Sequence, residues 1–291
     1  MLQLLGMIMV VVCILGSYTL MGGKLYVLNQ PFEFVIIAGS GFFAFMIGNR
    51  PAILKLSIKR LMSVFRGPKY KKDDYLEILL MQYQVYRLIK QRGALALEQH
   101  LEKPNESPLF NSFPKFCENE EALTFYTDYL RMISLGTDNA MQVETLLIED
   151  LKEIESEEQL TLQSLFTLSD SFPALGIVAA VLGVIKTMSS ITEPPEVLGN
   201  LIAGALVGTF LGVLLCYGWF APLSSGAKQV YEEERTYMQC LKSGILAYLQ
   251  GHAPVVCLEF ARKSLAVHNR PSFNELEDAV AGLAPPAQGP Q

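Results

Sequence analysis

Charge is scarce in this 291-residue chain. Asp, Glu, Lys and Arg make up 18% of it, against about 25% in ordinary globular domains. With 51% hydrophobic residues and a mean hydropathy of +0.29, the shortfall points to lipid contact, and the remaining charge must be confined to certain segments. Histidine is nearly absent, at His100, His252 and His268. The five cysteines, Cys13, Cys117, Cys216, Cys240 and Cys257, form no CxxC pair and have no histidine at ligand spacing. No metal site is therefore expected, and the thiols read as reduced bystanders. A Gly-rich phosphate loop, a nucleophile elbow, an HExxH helix and a pair of buried carboxylates are also missing. The chain is accordingly not expected to be an enzyme, and no catalytic residue, cofactor or nucleic-acid partner is assigned.

The stretches emptied of charge are long. Residues 1–23 hold no charged side chain, and about 20 apolar residues suffice to cross a hydrocarbon core. With no basic stretch before it and no small-x-small cleavage site, this run is expected to be retained. Residues 34–49, bounded by Glu33 and Arg50, form a second run, which a short loop over 22–33 would turn into a hairpin. Residues 171–185, closed by Lys186, and residues 197–227 supply a third and a fourth. Orientation follows from Arg50, Lys55, Lys59, Arg60, Arg66, Lys69, Lys71 and Lys72, which follow the second run with no acid among them. Such an excess marks a cytoplasmic flank and puts both termini inside.

The connections read as helical. Leu76, Leu79, Leu80, Tyr83 and Tyr86 recur at intervals of three and four, with Ile89 or Lys90 next, the signature of an amphipathic helix. Gly93 interrupts it. A further helix is expected from about Glu118 to Leu135, with Gly136 just past its end and Asp138 or Asn139 capping the next. That acidic helix meets no Pro or Gly before Pro173 and should run on into the third span. Lys228 to Leu249 mirrors it until Gly251. Ser272-Phe273-Asn274-Glu275 reads as a capping box. The expected layout is all-α: a transmembrane hairpin over 1–49, a helical cytoplasmic domain over 50–170, a second hairpin over 171–223, C-terminal helices over 224–283 and a disordered tail over 284–291.

No Asp, Glu, His, Lys or Arg falls in the middle of any span as drawn here, although a chain that relays ions alone normally carries one at depth. Either the chain is a simple anchor, or the ion-carrying group belongs to another subunit. Gly204, Gly208 and Gly212 make a doubled GxxxG, and Pro173, Gly176, Ala180, Gly183 and Thr187 share a face of the third span. Such stripes suit tight helix packing, their commoner use, or the wall of a narrow path around a partner helix. Pro173 and Pro222 stand near the ends of their spans as hinges or as static kinks. Arg87, Lys90 and Arg92 precede Glu98 across Gly93, either as a solvated face or as a docking patch for complementary charge.

Ser171-Phe172-Pro173-Ala174-Leu175-Gly176-Ile177-Val178-Ala179-Ala180-Val181-Leu182-Gly183-Val184 resembles the third-span signature of the MotA-type stator family. Val207-Gly208-Thr209-Phe210-Leu211-Gly212-Val213-Leu214-Leu215-Cys216-Tyr217-Gly218 with Ala221-Pro222-Leu223 resembles the fourth. Glu259 to Lys263 and Arg270 to Glu277 are similar to the family's C-terminal end. The resemblance implies a flagellar stator in the bacterial inner membrane. Five copies would surround two copies of MotB, whose transmembrane aspartate carries the proton, and would push on the rotor protein FliG. It makes Ala180, Thr209, Gly176, Gly212 and Tyr217 path-lining positions, with Ala180 pointing to protons because sodium-driven relatives tend to have threonine there. It makes Pro173 and Pro222 coupling hinges, and it places Lys90 and Glu98, with Arg87 and Arg92, at the rotor. Lys90 departs from the family's arginine, keeping charge but losing bidentate geometry. The alternatives are an ExbB- or TolQ-like energising subunit, which usually has three spans, and a membrane scaffold without transport.

Overall fold

The computed structural model describes residues 2–67, 69–137 and 139–283. No strand occurs among them, and four helical stretches are long and apolar enough to cross a membrane. In chain order the principal helices are α1 (Leu2–Leu20), α2 (Leu25–Gly48), α3 (Pro51–Arg66), α4 (Lys72–Arg92), α5 (Glu98–Glu102), α6 (Glu120–Ser134), α7 (Ala140–Met188), α8 (Pro195–Val213), α9 (Ala221–Leu249), α10 (Pro254–Ser264) and α11 (Phe273–Ala281). Two compact units are formed, one from the described residues of Met1–Gly67 and Ser156–Tyr231, the other from those of Pro68–Glu155 and Glu232–Gln291. The tail expected to be disordered, 284–291, lies outside the described residues.

Helix ends in the second unit follow local chemistry. α4 opens with Asp73 and Asp74 in its first turn, where the Lys71 N–H donates to Asp74 Oδ2 at 2.7 Å, and it closes with Lys90 and Arg92, charges matched to the helix dipole. Gly93 ends it at φ +83°. After α6, Gly136 at φ +92° lets the Gly136 N–H reach the Ile133 carbonyl and the Thr137 N–H reach that of Met132, a Schellman closure that an L side chain would strain. Gly251, at φ +83°, closes α9 in the same way, with His252 N–H on the Ala247 carbonyl. Asn139 Oδ1 accepts from the N–H groups of Met141 and Gln142 and so caps α7, while Asp138 lies outside the described residues. Ser272 and Glu275 form the reciprocal box of α11. Glu275 also takes Lys72 Nζ at 2.6 Å, and that cation with the Ser272 donors holds its carboxyl down at about 2.

The core of this unit is rich in aromatic side chains. Tyr70 stacks on Tyr237 at 4.2 Å between ring centres and Tyr86 on Tyr248 at 5.1 Å, while Phe110, Phe116 and Tyr126 fill the space between α4 and α6. Burial pushes the Cys240 thiol up to about 12 and that of Cys257 to about 11, which keeps both in the unreactive thiol form.

The membrane-spanning unit is built differently. α1 buries none of its residues and shows Leu, Ile, Met and Val outward, as expected of a helix whose solvent is lipid. Inside, Ile37, Leu168, Phe172, Ala179, Leu215 and Cys216 form one apolar cluster, and Val64, Leu162, Leu165, Ala227 and Tyr231 another. Arg60 of α3 meets Glu158 of α7 as a bidentate pair with little solvent exposure on either side. Asn49 closes α2 by donating to the Phe45 carbonyl at 2.8 Å and accepting from Ser164 Oγ at 2.5 Å.

Two expectations are corrected here. The loop drawn over 22–33 is mostly helix: α2 starts at Leu25, breaks at Asn29 and Gln30, resumes at Pro31 and widens into a π turn over Val35–Gly39. As a result Glu33 lies inside the second span instead of bounding it, so the spans are not free of acid. Pro31 causes the change, because a proline needs no N–H donor partner at the first position of a helix and starts one there.

Candidate functional site

The apolar half of α7 and the whole of α8 meet through residues that have almost no side chain. A Cβ on Gly176 would stand 2.9 Å from the Gly208 carbonyl oxygen and 3.1 Å from Gly212 Cα. One on Gly212 would stand 2.5 Å from the Phe172 carbonyl oxygen and 2.9 Å from Gly176 Cα. One on Gly183 would meet Ala205 Cβ at 2.6 Å. Real Cβ atoms do not approach this closely, and the neighbours at Gly176 and Gly212 are backbone, which cannot swing aside. The two helices therefore touch backbone to backbone, gaining dispersion contacts that compensate for the missing hydrophobic drive in lipid.

Gly208 is the junction of three helices. A Cβ there would lie 3.0 Å from Ala179 Cβ and 3.1 Å from the Ala180 nitrogen on one side, and 3.1 Å from Glu33 Oε2 on the other. Gln30 covers Gly204 in the same manner, its Nε2 at 3.0 Å. Glu33 Oε2 is buried with no hydrogen-bond partner among the described residues. This residue is absent from the set expected from the sequence. Its signal was Pro31 two positions earlier, which marks a helix start and makes Glu33 a first-turn acid.

Four of the expected path positions come together at this interface. Gly176 and Gly212 face each other, Thr209 Cα lies 3.4 Å from a Cβ on Gly176, and Ala180 lies beside Gly208. Tyr217 stands apart on the π turn Leu214–Phe220, with 67% of its surface exposed. Pro173 lies within the unbroken helix α7. Pro222 follows the π turn, where the Ala221 N–H donates to the Cys216 carbonyl, five residues back. A proline withholds the donor that the carbonyl four residues earlier would use, so the wide turn lies where the α ladder has already lost a bond. Ser169 of α7, whose carbonyl Pro173 deprives of its helical donor, puts its hydroxyl 3.4 Å from Cys216 Sγ. The two proline regions are thereby in contact.

Arg87, Lys90, Arg92 and Glu98 belong to the other unit. Lys90, Arg92 and Glu98 are exposed and Arg87 is half-buried, and none forms an ion pair with a described residue. Gly93 turns the chain between the cations and Glu98. Lys90 also borders a cavity of about 400 Å³ with Ile133, Tyr248 and His252.

Comparison with known proteins extends along the chain. Residues 4–93 match the motility protein A N-terminal family and residues 119–240 the MotA/TolQ/ExbB proton channel family. Motility protein A of Salmonella typhimurium and that of Escherichia coli K12 are each 42% identical over 288 residues, covering 99% of this chain and 98% of theirs. Chemotaxis protein LafT of Vibrio parahaemolyticus is 32% identical over 96% of this chain and 98% of its own. Among solved structures, C. jejuni MotAB gives a TM-score of 0.76 at 20% identity, covering 93% of this chain and 98% of that one. The MotAB stator complex of Bacillus subtilis gives 0.73 at 23%, covering 94% and 100%.

Proposed function

Because the chain belongs to the motility protein A members of the MotA/TolQ/ExbB proton channel family, we propose that it is a flagellar stator subunit that, with a MotB-type partner, couples inward proton flow to torque on FliG. The observation carrying this reading is the packing of the third and fourth spans through glycine while neither holds an Asp, Glu, His, Lys or Arg at mid-depth. The third and fourth spans themselves supply no proton carrier, Glu33 at Gly208 coming from the second span, and the acid on a companion helix fills that role. Protonation of that acid removes a charge from a low-dielectric site and changes its contacts with the surrounding spans, which turns a ring of about five copies around two copies of the partner. The chain lies in the bacterial inner membrane with both termini in the cytoplasm, where the basic flank after the second span favours them. No cofactor takes part; the transported proton is the only small species involved. Deletion should abolish swimming while leaving flagella assembled, and a deletion strain that still swims would overturn the reading.

The unpaired charges at Arg87, Lys90, Arg92 and Glu98 form the rotor-facing patch. Glu98→Lys is expected to slow swimming and to be partly rescued by a matching charge reversal on FliG. Unchanged motility in the single variant would remove the electrostatic assignment. Ala180, where sodium-driven relatives tend to have threonine, makes the driving ion a proton. Swimming speed should accordingly collapse with a protonophore and be indifferent to replacement of sodium by potassium; the opposite pattern would refute it.

A further inference from the structure

Glu33 is the only charged residue between Leu25 and Gly48. Its Oε2 is buried without a hydrogen-bond partner among the described residues and would lie 3.1 Å from a Cβ on Gly208, whose other neighbours are Ala179 and Ala180 of α7. It forms no ion pair with a described residue. An acid in the first turn of a helix ordinarily accepts from the free N–H groups there; this oxygen accepts from none. An apolar side chain would fill the same place without leaving a buried oxygen bare. An ionisable group inside a span, with a lone pair free, points to ion handling.

The side chains along α2 change character with depth. Asn29 is exposed, Gln30 and Glu33 are half-buried, and Ile37, one turn further on, is wholly buried in the cluster that holds Phe172 and Ala179. Gln30 lies over Gly204 and Glu33 over Gly208, so two polar side chains a turn apart on α2 rest on two glycines a turn apart on α8. A Cβ at 208 would crowd the carboxyl oxygen, and glycine leaves it room. Polar groups thus lead in from the Leu25 end of the span and stop at Glu33, with an apolar floor beneath. The π turn over Val35–Gly39 begins two residues later, and such wide turns recur at functional positions. No charged group acts on the carboxyl. The nearest titratable side chains along the packed elements are Lys24 and Tyr26 before it, Tyr18 of α1 against Gly23, Lys186 of α7 and Glu196 of α8, all exposed except the half-buried Tyr18.

We propose, resting on the stator reading above, that Glu33 is a second proton-binding group, which receives protons from the outer side and hands them to the acid on the companion helix. A proton passes Asn29 and Gln30 and adds to the carboxylate, giving the neutral acid. The floor at Ile37 closes the way along α2, so the proton leaves sideways over Gly208, where no side chain intervenes, toward Ala180 and Thr209. The companion carboxylate is protonated as Glu33 returns to its own carboxylate, and charge balances at each transfer. The companion acid remains the group whose protonation turns the ring; Glu33 sets how fast protons are supplied to it.

The test compares Glu33→Gln, equal in size but unable to titrate, with Glu33→Asp, which keeps the acid. Glu33→Gln should assemble and swim, near the parental speed in acidic medium and several-fold slower than the parent in alkaline medium, where protons are scarce at the entrance. Glu33→Asp should restore most of the alkaline speed, which a merely structural role would not predict. In the unsubstituted full-length chain with its partner, dicyclohexylcarbodiimide, a reagent for protonated carboxyl groups in apolar surroundings, should label Glu33 increasingly as the pH falls, as read by mass spectrometry of the peptide. A parental pH profile in Glu33→Gln, a loss of speed equal at every pH, or no labelling of Glu33 in acid overturns the proposal while leaving the stator reading intact. That reading falls instead if the deletion strain swims.

Discussion

Pro222→Leu is expected to abolish swimming while leaving the protein in the membrane and in complex with its partner. A proline inside a helix costs about 3 kcal/mol relative to alanine, through the lost donor and the ring's clash with the preceding turn. Leucine removes that cost, so the variant helix is more regular and the unit is not destabilised. The added N–H gives the Gly218 carbonyl its α-type donor and works against the π geometry of Leu214–Phe220. That turn carries Cys216, which touches Ser169 on the helix containing Pro173, so straightening one helix stiffens the junction of both. Pro173→Leu should act in the same direction. The measurements are spreading in soft agar and recovery of the intact complex by native electrophoresis. Swimming at the parental rate by either variant would remove the hinge role.

Gly212→Leu is expected to fail earlier, at assembly. Overpacking a core ordinarily costs about 1–3 kcal/mol because side chains and backbone shift to make room. Here the first atom of the new side chain already meets the Phe172 carbonyl oxygen and Gly176 Cα, and neither can move without displacing a whole helix. The cost should exceed the top of that range, and membrane levels of the chain should fall sharply on immunoblots. Gly199→Ala is the matched control, since nothing lies within 4 Å of a Cβ at Gly199; it should be silent. Parental levels of Gly212→Leu together with a normal melting temperature of the purified complex would contradict the packing described here.

Much of this architecture could be read from the amino-acid order because the physics was local. The glycines at 93, 136 and 251 each end a helix at positive φ, and the 272–275 box forms as its residue types dictate. The long helix α7 runs through Pro173 because nothing before that residue breaks it. The second span starts earlier than its charge pattern predicts for an equally local reason: Pro31 opens a helical turn and carries Glu33 inside the span. The glycine interface was half legible. Spacing showed that Gly176, Gly208 and Gly212 lie on common faces, but not that those faces meet each other, and partner choice is a tertiary property. Pro31 signals that Glu33 sits in a first helical turn, but not that its carboxylate oxygen stays without a partner, because an unmet hydrogen bond exists only once the surroundings are folded.

The π turn at Leu214–Phe220 also bears on how this chain can vary in length. A π segment holds one residue more than the α-helix it interrupts, and each residue of an α-helix advances about 100° around the axis. Loss of a single codon here would let the helix heal into uniform α geometry, yet everything downstream would be rotated by that angle. Ser224, Ala227 and Tyr231, now turned inward, would be carried off the buried side. The extra residue is thus a phase setter, and lineages that keep the downstream face must keep it too.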